Sequence, residues 1–431
     1  MKNRIENIEM GSSTLKNKIA SWFLFLIILC SGYLVSSFDG FNGVFLFLLI
    51  AQIVVVVLIS KQFDNVQLTL SRLLLGLLFI YSGIVKGVDP VGTEYRIVDY
   101  FIAFGTEWAN PMALPLSVIL NATEFMLGIF LLFNINIRFT SWLVLLMMVF
   151  FTFVTLNDAL YNPVPDCGCF GDALILTNWQ TFYKNLVIDA LLLMVFLSRN
   201  RNPRWFTVKT ERLLVLSFLI IFVGFEVYNI RHLPVMDFRS WKVGNKMVVE
   251  NPLPVEMYVT YRNTNTSETR EYLSPNYPYN DSSWIAEWEF VGSRIVDPNP
   301  VLHDLKIDDV IGNDYTDQII ANPDYQFMLV SFDLEIGKWK KIDQIKEFIA
   351  DCNENGISMV VVTSSLPERV KAFKWQYELD VDIFYADDIS LMTMIRSNPG
   401  LVLLKDGFVL QKWHVNDFPS FEDFQTKFVE N

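Results

Sequence analysis

Seven apolar stretches punctuate the first 230 residues, at about 19–37, 44–60, 68–86, 112–133, 139–156, 180–198 and 212–230. A helix needs roughly 20 apolar residues to cross a hydrocarbon core, and each stretch meets or approaches that length. The second is the shortest, but Val44–Ser60 carries no charge. Beyond 231 the pattern changes twice. Short alternating runs, Val255–Tyr261 and Trp284–Val291, flank a turn cluster at 263–269 and predict a small β-rich segment within 231–324. From Tyr325 strands and helices alternate. The pattern gives a strand at 325–332, a helix at 339–355 stopped by Gly356, and a valine-rich strand at 357–363. A helix opened by Leu366-Pro367-Glu368, a short strand at 382–386 and a helix at 388–397 follow. Strands at 401–404 and 408–414 flank a Lys405-Asp406-Gly407 turn, and a last helix begins at Ser420. The fold class expected is an α-helical integral membrane bundle of seven spans, followed by a β-rich segment and an α/β domain over 325–431.

Charge sharpens this division. Residues 1–230 carry 15 Lys+Arg and 15 Asp+Glu, whereas 231–431 carry 19 and 32, so the net charge of −13 resides in the last part of the chain. An acidic tail without a basic stripe argues against nucleic-acid binding. With the N-terminus inside, the inner segments hold Lys2, Arg4, Lys16, Lys18, Lys61, Arg72, Arg138, Arg199, Arg201, Arg204, Lys209 and Arg212. Only Lys86, Arg96 and Lys184 face the other side. Twelve against three is a positive-inside bias, and an odd number of spans then exports the C-terminal 200 residues. Lys16 and Lys18 ahead of an apolar run are like a signal peptide, but no small-x-small site follows Phe38 and Ile28-Leu29-Cys30 is a poor lipobox. The first stretch is therefore read as a span, with Cys30 a buried thiol.

The loop between the fifth and sixth stretches contains Asp166-Cys167-Gly168-Cys169-Phe170-Gly171-Asp172. It faces the side where disulfides persist, and Gly168 permits a tight backbone path. A bridge closing so small a ring departs from relaxed geometry, so it is expected to be strained and readily reduced. A redox-active pair is one reading. A structural clip is another, although closing so short a loop gains little. A metal site needs about four ligands, and no His or further Cys lies nearby, so no metal is expected. Asp166 beside Cys167 disfavours the thiolate and so a fast nucleophile.

Residues 67–198 resemble the DoxX-like membrane family, in particular its MauE (methylamine utilisation) branch. The resemblance rests on Arg72-Leu73-Leu74-Leu75-Gly76 and its continuation to Lys86, on Glu124-Phe125-Met126-Leu127-Gly128, on the Cys-Gly-Cys motif just quoted, and on Asn178-Trp179-Gln180-Thr181-Phe182-Tyr183-Lys184-Asn185. It implies a four-helix core in the bacterial cytoplasmic (inner) membrane, linked to periplasmic thiol or quinone redox chemistry. Residues 1–66 add a cytoplasmic segment and two leading helices, and 199–230 a basic loop and the seventh span. The whole chain is similar to the longer version seen in Bacteroidota, with a periplasmic extension.

Ionisable residues inside spans are costly and point to function. Glu124 lies mid-span and Asp189 about nine residues into the sixth stretch, while Lys86 and Lys184 sit near outer ends. Lys86 is expected to pair with Glu124 or Asp158. Glu124 or Asp189 is expected to relay protons to a quinone near Cys167 and Cys169; helix–helix glue is the competing role. Arg72 is read as an inner-surface anchor and Glu226 as interfacial.

Residues 325–431 are similar to the thioredoxin fold, with Pro399 at the position where that family holds a cis bond. They depart from it at the nucleophile: Ser331-Phe332-Asp333-Leu334-Glu335-Ile336-Gly337 contains no cysteine, and Cys352 falls at the far end of the helix, expected buried and inert. The domain is thus expected to bind rather than exchange disulfides, with Ser397, Asn398 and Pro399 holding a peptide. His303 is read as structural and His414 as making a surface hydrogen bond.

The leading functional expectation is electron exchange between periplasmic thiols and membrane quinone through Cys167 and Cys169. The alternative is a non-enzymatic membrane scaffold or assembly factor gripping a periplasmic partner protein or envelope complex. Solute transport through the bundle rests on Glu124 and Asp189 alone.

Overall fold

The computed structural model describes residues 2–201 and 204–430, with side chains from Asn17 onward. The side chains of Lys2, Arg4 and Lys16, counted above towards the orientation, lie outside the described residues. The chain divides into two compact units, 1–238 and 239–431.

The first unit is helical: α1 (Lys2–Leu34), α2 (Gly43–Leu58), α3 (Asn65–Val88), α4 (Pro90–Ala103), α5 (Ala113–Leu132), α6 (Ile137–Tyr161), α7 (Asn178–Leu197) and α8 (Val208–Arg231). Among the described residues six helices are long and apolar enough to cross a membrane, and α2 with 16 residues falls short of that length. The seven-span count therefore rests on how α2 is placed. It packs along α7. At one end the Asn42 N–H donates to Tyr183 Oη, near the start of α7. At the other, Arg201 Nη2, just past its end, donates to the Phe63 carbonyl. The short helix thus covers most of a full-length neighbour.

Helix starts follow capping chemistry. Asp64 with Gln67 opens α3 and Thr177 with Gln180 opens α7, each as a reciprocal capping box. The helix α4 is absent from the hydropathy pattern because Glu94, Arg96 and Asp99 make it amphipathic rather than apolar. Its signal was local: Asp89 as N-cap with Pro90 at the first helical position.

Helices α3 and α5 approach closely. A Cβ at Gly128 would lie 2.6 Å from the Ile80 nitrogen, and one at Gly83 would lie 2.8 Å from the Phe125 backbone. Small residues at these positions let two backbones touch, the packing mode that lipid favours.

Three expectations for this unit are corrected. Cys30 is exposed on the outer face of α1 rather than buried, since an apolar stretch does not reveal which side faces the bundle. Arg72 is no surface anchor. It is buried, donates to the Leu131 and Leu132 carbonyls at the end of α5, and lies 4.5 Å from the Trp205 ring centroid. Glu226 is fully buried rather than interfacial, beside Gly87. Lys86 lies in the last turn of α3, near the helix end as expected, and is buried.

The second unit holds two sheets. Strands β1 (Glu256–Asn263), β2 (Thr269–Leu273) and β3 (Trp288–Val296) form an antiparallel sheet of order β2-β1-β3. The strand expected at Trp284–Val291 begins only at Trp288. Asp281 accepts the Ser283 and Trp284 N–H groups and caps a short helix, Ser282–Glu287, instead. Strands β4 (Gln326–Ser331), β5 (Ser358–Thr363), β6 (Asp382–Tyr385), β7 (Gly400–Lys405) and β8 (Phe408–His414) form a mixed sheet of order β6-β5-β4-β7-β8. The first three run parallel, and β7 and β8 are antiparallel to their neighbours. Helices Ile342–Glu354 and Pro367–Tyr377 connect the parallel strands, and Phe327, Leu329, Phe348, Val361 and Leu401 share one core. Both sheet edges are met by preceding chain: Lys246 bridges Phe408 and Asp308 bridges Tyr385. The β-rich segment and the α/β domain are therefore one unit.

Two predictions follow from packing. Gly128→Val should destabilise the detergent-purified chain by about 1–3 kcal/mol through overpacking. Gly224→Val, at a position with nothing within 4 Å of an added Cβ, should leave the thermal midpoint unchanged. Cys352 is buried and its thiol is pushed up to about 12, by burial first and by Asp351 second. At pH 8 the thiolate fraction is then roughly one part in ten thousand, and alkylation should need unfolding.

Candidate functional site

The Cys167–Cys169 pair is joined by a disulfide, with Cα atoms 5.5 Å apart. Gly168 at φ +63° and Gly171 at φ +51° carry the left-handed turns around it. The loop is tied at several points. Asp166 Oδ1 accepts the Gly168 N–H at 2.8 Å, and Asp166 Oδ2 pairs with Arg96 Nη2 of α4 at 2.8 Å. Asn178 Nδ2 donates to the Val164 carbonyl. The Asp166 charge expected to disfavour a thiolate at Cys167 is thus met by Arg96 in the folded chain.

Cys167 and Cys169 form part of the wall of a cavity of about 400 Å³ inside the first unit. Most of its lining is apolar, including Leu78, Phe101, Phe104, Phe150, Phe151 and Ile188. Set into that wall are Lys86, Glu124, Lys184, Ser82, Arg96 and Tyr100. Lys86 Nζ lies 2.6 Å from Glu124 Oε1, both side chains buried. Of the two partners expected for Lys86 the structure brings in Glu124. Asp158 instead accepts from Tyr100 Oη at 2.6 Å. Burial first, and then the Asp158 carboxylate, push the Tyr100 phenol up, so it keeps its proton and remains a donor.

Ser82 Oγ connects the ion pair to the cysteines. It lies 2.7 Å from Glu124 Oε2 and 2.8 Å from the Cys169 carbonyl. A hydroxyl has one proton, so at any moment it donates to one of the two oxygens. Glu124 is therefore linked through one side chain to the backbone of Cys169.

Asp189 is not brought there. Its carboxylate accepts from Thr152 Oγ1 at 2.8 Å and it is not part of the cavity lining. Of the two alternative proton-relay carboxyls, Glu124 is in the cavity wall and Asp189 is not. Ser82, Arg96 and Tyr100 were missed by sequence reasoning. The Arg96, Asp99 and Tyr100 spacing on a helix opened by Asp89-Pro90 was the available signal.

Of the second-unit residues expected to hold a peptide, Ser397 and Pro399 are buried and Asn398 is half-buried. Ser397 is buried and its Oγ accepts the Val415 N–H, and Asn398 exchanges hydrogen bonds with Ser331 and the Asp333 carbonyl. The Asn398–Pro399 bond is cis. His414 is buried rather than on the surface, and its Nδ1 accepts the Asn416 N–H. The His303 ring lies tilted against Trp241, with 5.4 Å between centroids. Among the described residues no group of three or more His, Cys, Asp or Glu could hold a metal ion.

Residues 64–198 match the family model described as methylamine utilisation protein MauE. The matched segment begins at the N-cap of α3 and ends at the C-cap of α7, and it contains every cavity residue named above. No curated protein and no solved structure matches the chain.

The ion pair gives a direct prediction. Removing one partner of a buried pair strands the other charge, which typically costs about 3–5 kcal/mol, whereas replacing both with apolar groups is close to neutral. Lys86→Met alone should therefore lower the unfolding free energy of the purified chain markedly, and Lys86→Met with Glu124→Leu should recover most of it. Equal loss in the single and double variants would contradict the pairing.

Proposed function

We propose that the MauE-family segment, residues 64–198, exchanges electrons between a periplasmic dithiol and a membrane quinone through Cys167 and Cys169. The observation that carries this reading is the bonded cysteine pair in the wall of an apolar cavity that also holds the Lys86–Glu124 pair. A pocket of this size and lining suits a flat apolar ring with a few polar atoms. The sulfur chemistry balances in two steps. A thiolate of the partner attacks one sulfur of the Cys167–Cys169 bond, the other sulfur leaves and takes a proton, and the mixed disulfide resolves when the partner's second thiol attacks. The pair is then a dithiol and the partner a disulfide. Two electrons and two protons next pass from the dithiol to a quinone, which becomes a quinol, and the Cys167–Cys169 bond reforms. Glu124, linked through Ser82, is the chain's own group best placed to accept or return one of those protons. The reverse direction balances equally well, and the partner's potential selects between them.

The orientation belongs to the same proposal. Seven crossings with the N-terminus in the cytoplasm put the cysteine loop and residues 239–431 in the periplasm of the inner membrane. The strand order of the second unit supports a thioredoxin-like domain. One observation favours the scaffold reading: Cys352 is the second unit's cysteine and it is buried, so this unit would grip a partner and not react with it. In that case Cys167–Cys169 is a clip.

The test uses the full chain, purified in detergent, reduced, desalted and mixed without oxygen with 2,3-dimethyl-1,4-naphthoquinone. The proposal expects about one quinol per chain, and a rate at least about a hundredfold lower for Cys167→Ser, since the thiolate is the reacting species. A chain that leaves the quinone oxidised, or a Cys167→Ser variant as fast as wild type, would overturn it.

A further inference from the structure

Charges around the cavity do not cancel. Lys86 is matched by Glu124 at 2.6 Å. Arg96 is matched by Asp166 at 2.8 Å and Asp99 at 2.9 Å. Lys184 is the remaining cation of the lining. Among the described residues it has no carboxylate within ion-pair distance, and its Nζ rests 4.5 Å from the Phe170 ring centroid. It lies in the seventh position of α7, about 9 Å along the helix from its start. A lysine at that depth, in a lining shared with Leu78, Phe150 and Ile188, is expensive unless an oxygen meets it. Lys86 and Glu124, the other buried charges of the lining, are already committed to each other. An aromatic face is a weaker counterpart for an ammonium than a negative oxygen.

We propose that Lys184 is the anchor of the cavity's ligand, receiving a negatively polarised oxygen at one end of an otherwise apolar molecule. Two sources share that chemistry. One is the ring carbonyl of a quinone, and in this form the inference rests on the electron-exchange reading. The other is the carboxylate of a fatty-acid-like amphiphile, which needs no redox chemistry. In either case the apolar body fills the space between α4 and α6, against Phe101, Phe104 and Phe151, and the polar end faces the two lysines. Arg96 and Tyr100, tied to Asp166 and Asp158, shape the wall without offering a free charge.

The full detergent-purified chain is titrated separately with 2,3-dimethyl-1,4-naphthoquinone and with dodecanoate, following tryptophan fluorescence. A charge-assisted hydrogen bond corresponds to about ten- to hundredfold in affinity. Lys184→Met should weaken binding by that factor and Lys184→Arg should keep most of it. Dodecanoate binding that depends on Lys184, with no quinone binding, supports the anchor and removes the proposed electron acceptor. Equal affinities in wild type and Lys184→Met, or no binding of either probe to wild type, overturn the anchor. A readout in the wild-type chain covers a variant that does not fold. Bound probe should shield Lys184 from acetylation by an N-hydroxysuccinimide ester, and unchanged labelling contradicts the proposal.

Discussion

The Lys86–Glu124 ion pair is the constraint around which the first unit is arranged. Two charges inside a bilayer-depth bundle are tolerable only if they meet, and they meet because α3 and α5 run almost in backbone contact. Gly83 and Gly128 create that contact. A larger residue at either place would part the helices and lengthen a 2.6 Å pair. Ser82, one residue before Gly83, then sits within reach of both Glu124 and the Cys169 carbonyl. Close helix packing, charge neutralisation and placement of the cysteine loop are thus one arrangement.

The amphipathic helix α4 completes it from the other side. Its Arg96 and Tyr100 hold Asp166 and Asp158, on either side of the turn that leads into the cysteine pair. A loop of glycine-permitted turns is in this way fixed against a helix, and the cavity acquires a wall with aromatic and cationic members. What the pair can do chemically depends on this enclosure, because a cysteine pair open to bulk water would meet thiols and not an apolar oxidant.

Much of this was legible from residue type and pattern, and the limits are physical. Charges within apolar stretches marked Lys86, Glu124 and Asp189 as unusual, since hydropathy registers depth. Pattern alone did not say which of them meet, because that depends on helix rotation: Glu124 turns to the cavity and Asp189 towards Thr152. Cys30 and Arg72 were misplaced for the same reason. The helix α4 was hidden by its own charges. In the second unit the five-stranded sheet was readable because short apolar strands alternate with helices punctuated by Gly356 and Pro367, whereas β2, Thr-Arg-Glu-Tyr-Leu, has no apolar face to announce it. The assignment of Ser397 and Asn398 to a peptide rested on fold analogy, which does not carry the local hydrogen bonds that both side chains make.

The central claim is that Cys167 and Cys169 change oxidation state with the membrane's electron carriers. It is tested most directly by acid-quenching living cells, alkylating with a mass-shifting reagent, and reading the state of this pair with and without respiratory inhibition. The account predicts a shift between disulfide and dithiol as the quinone pool is driven from oxidised to reduced. A pair fixed in one state under every condition would contradict it.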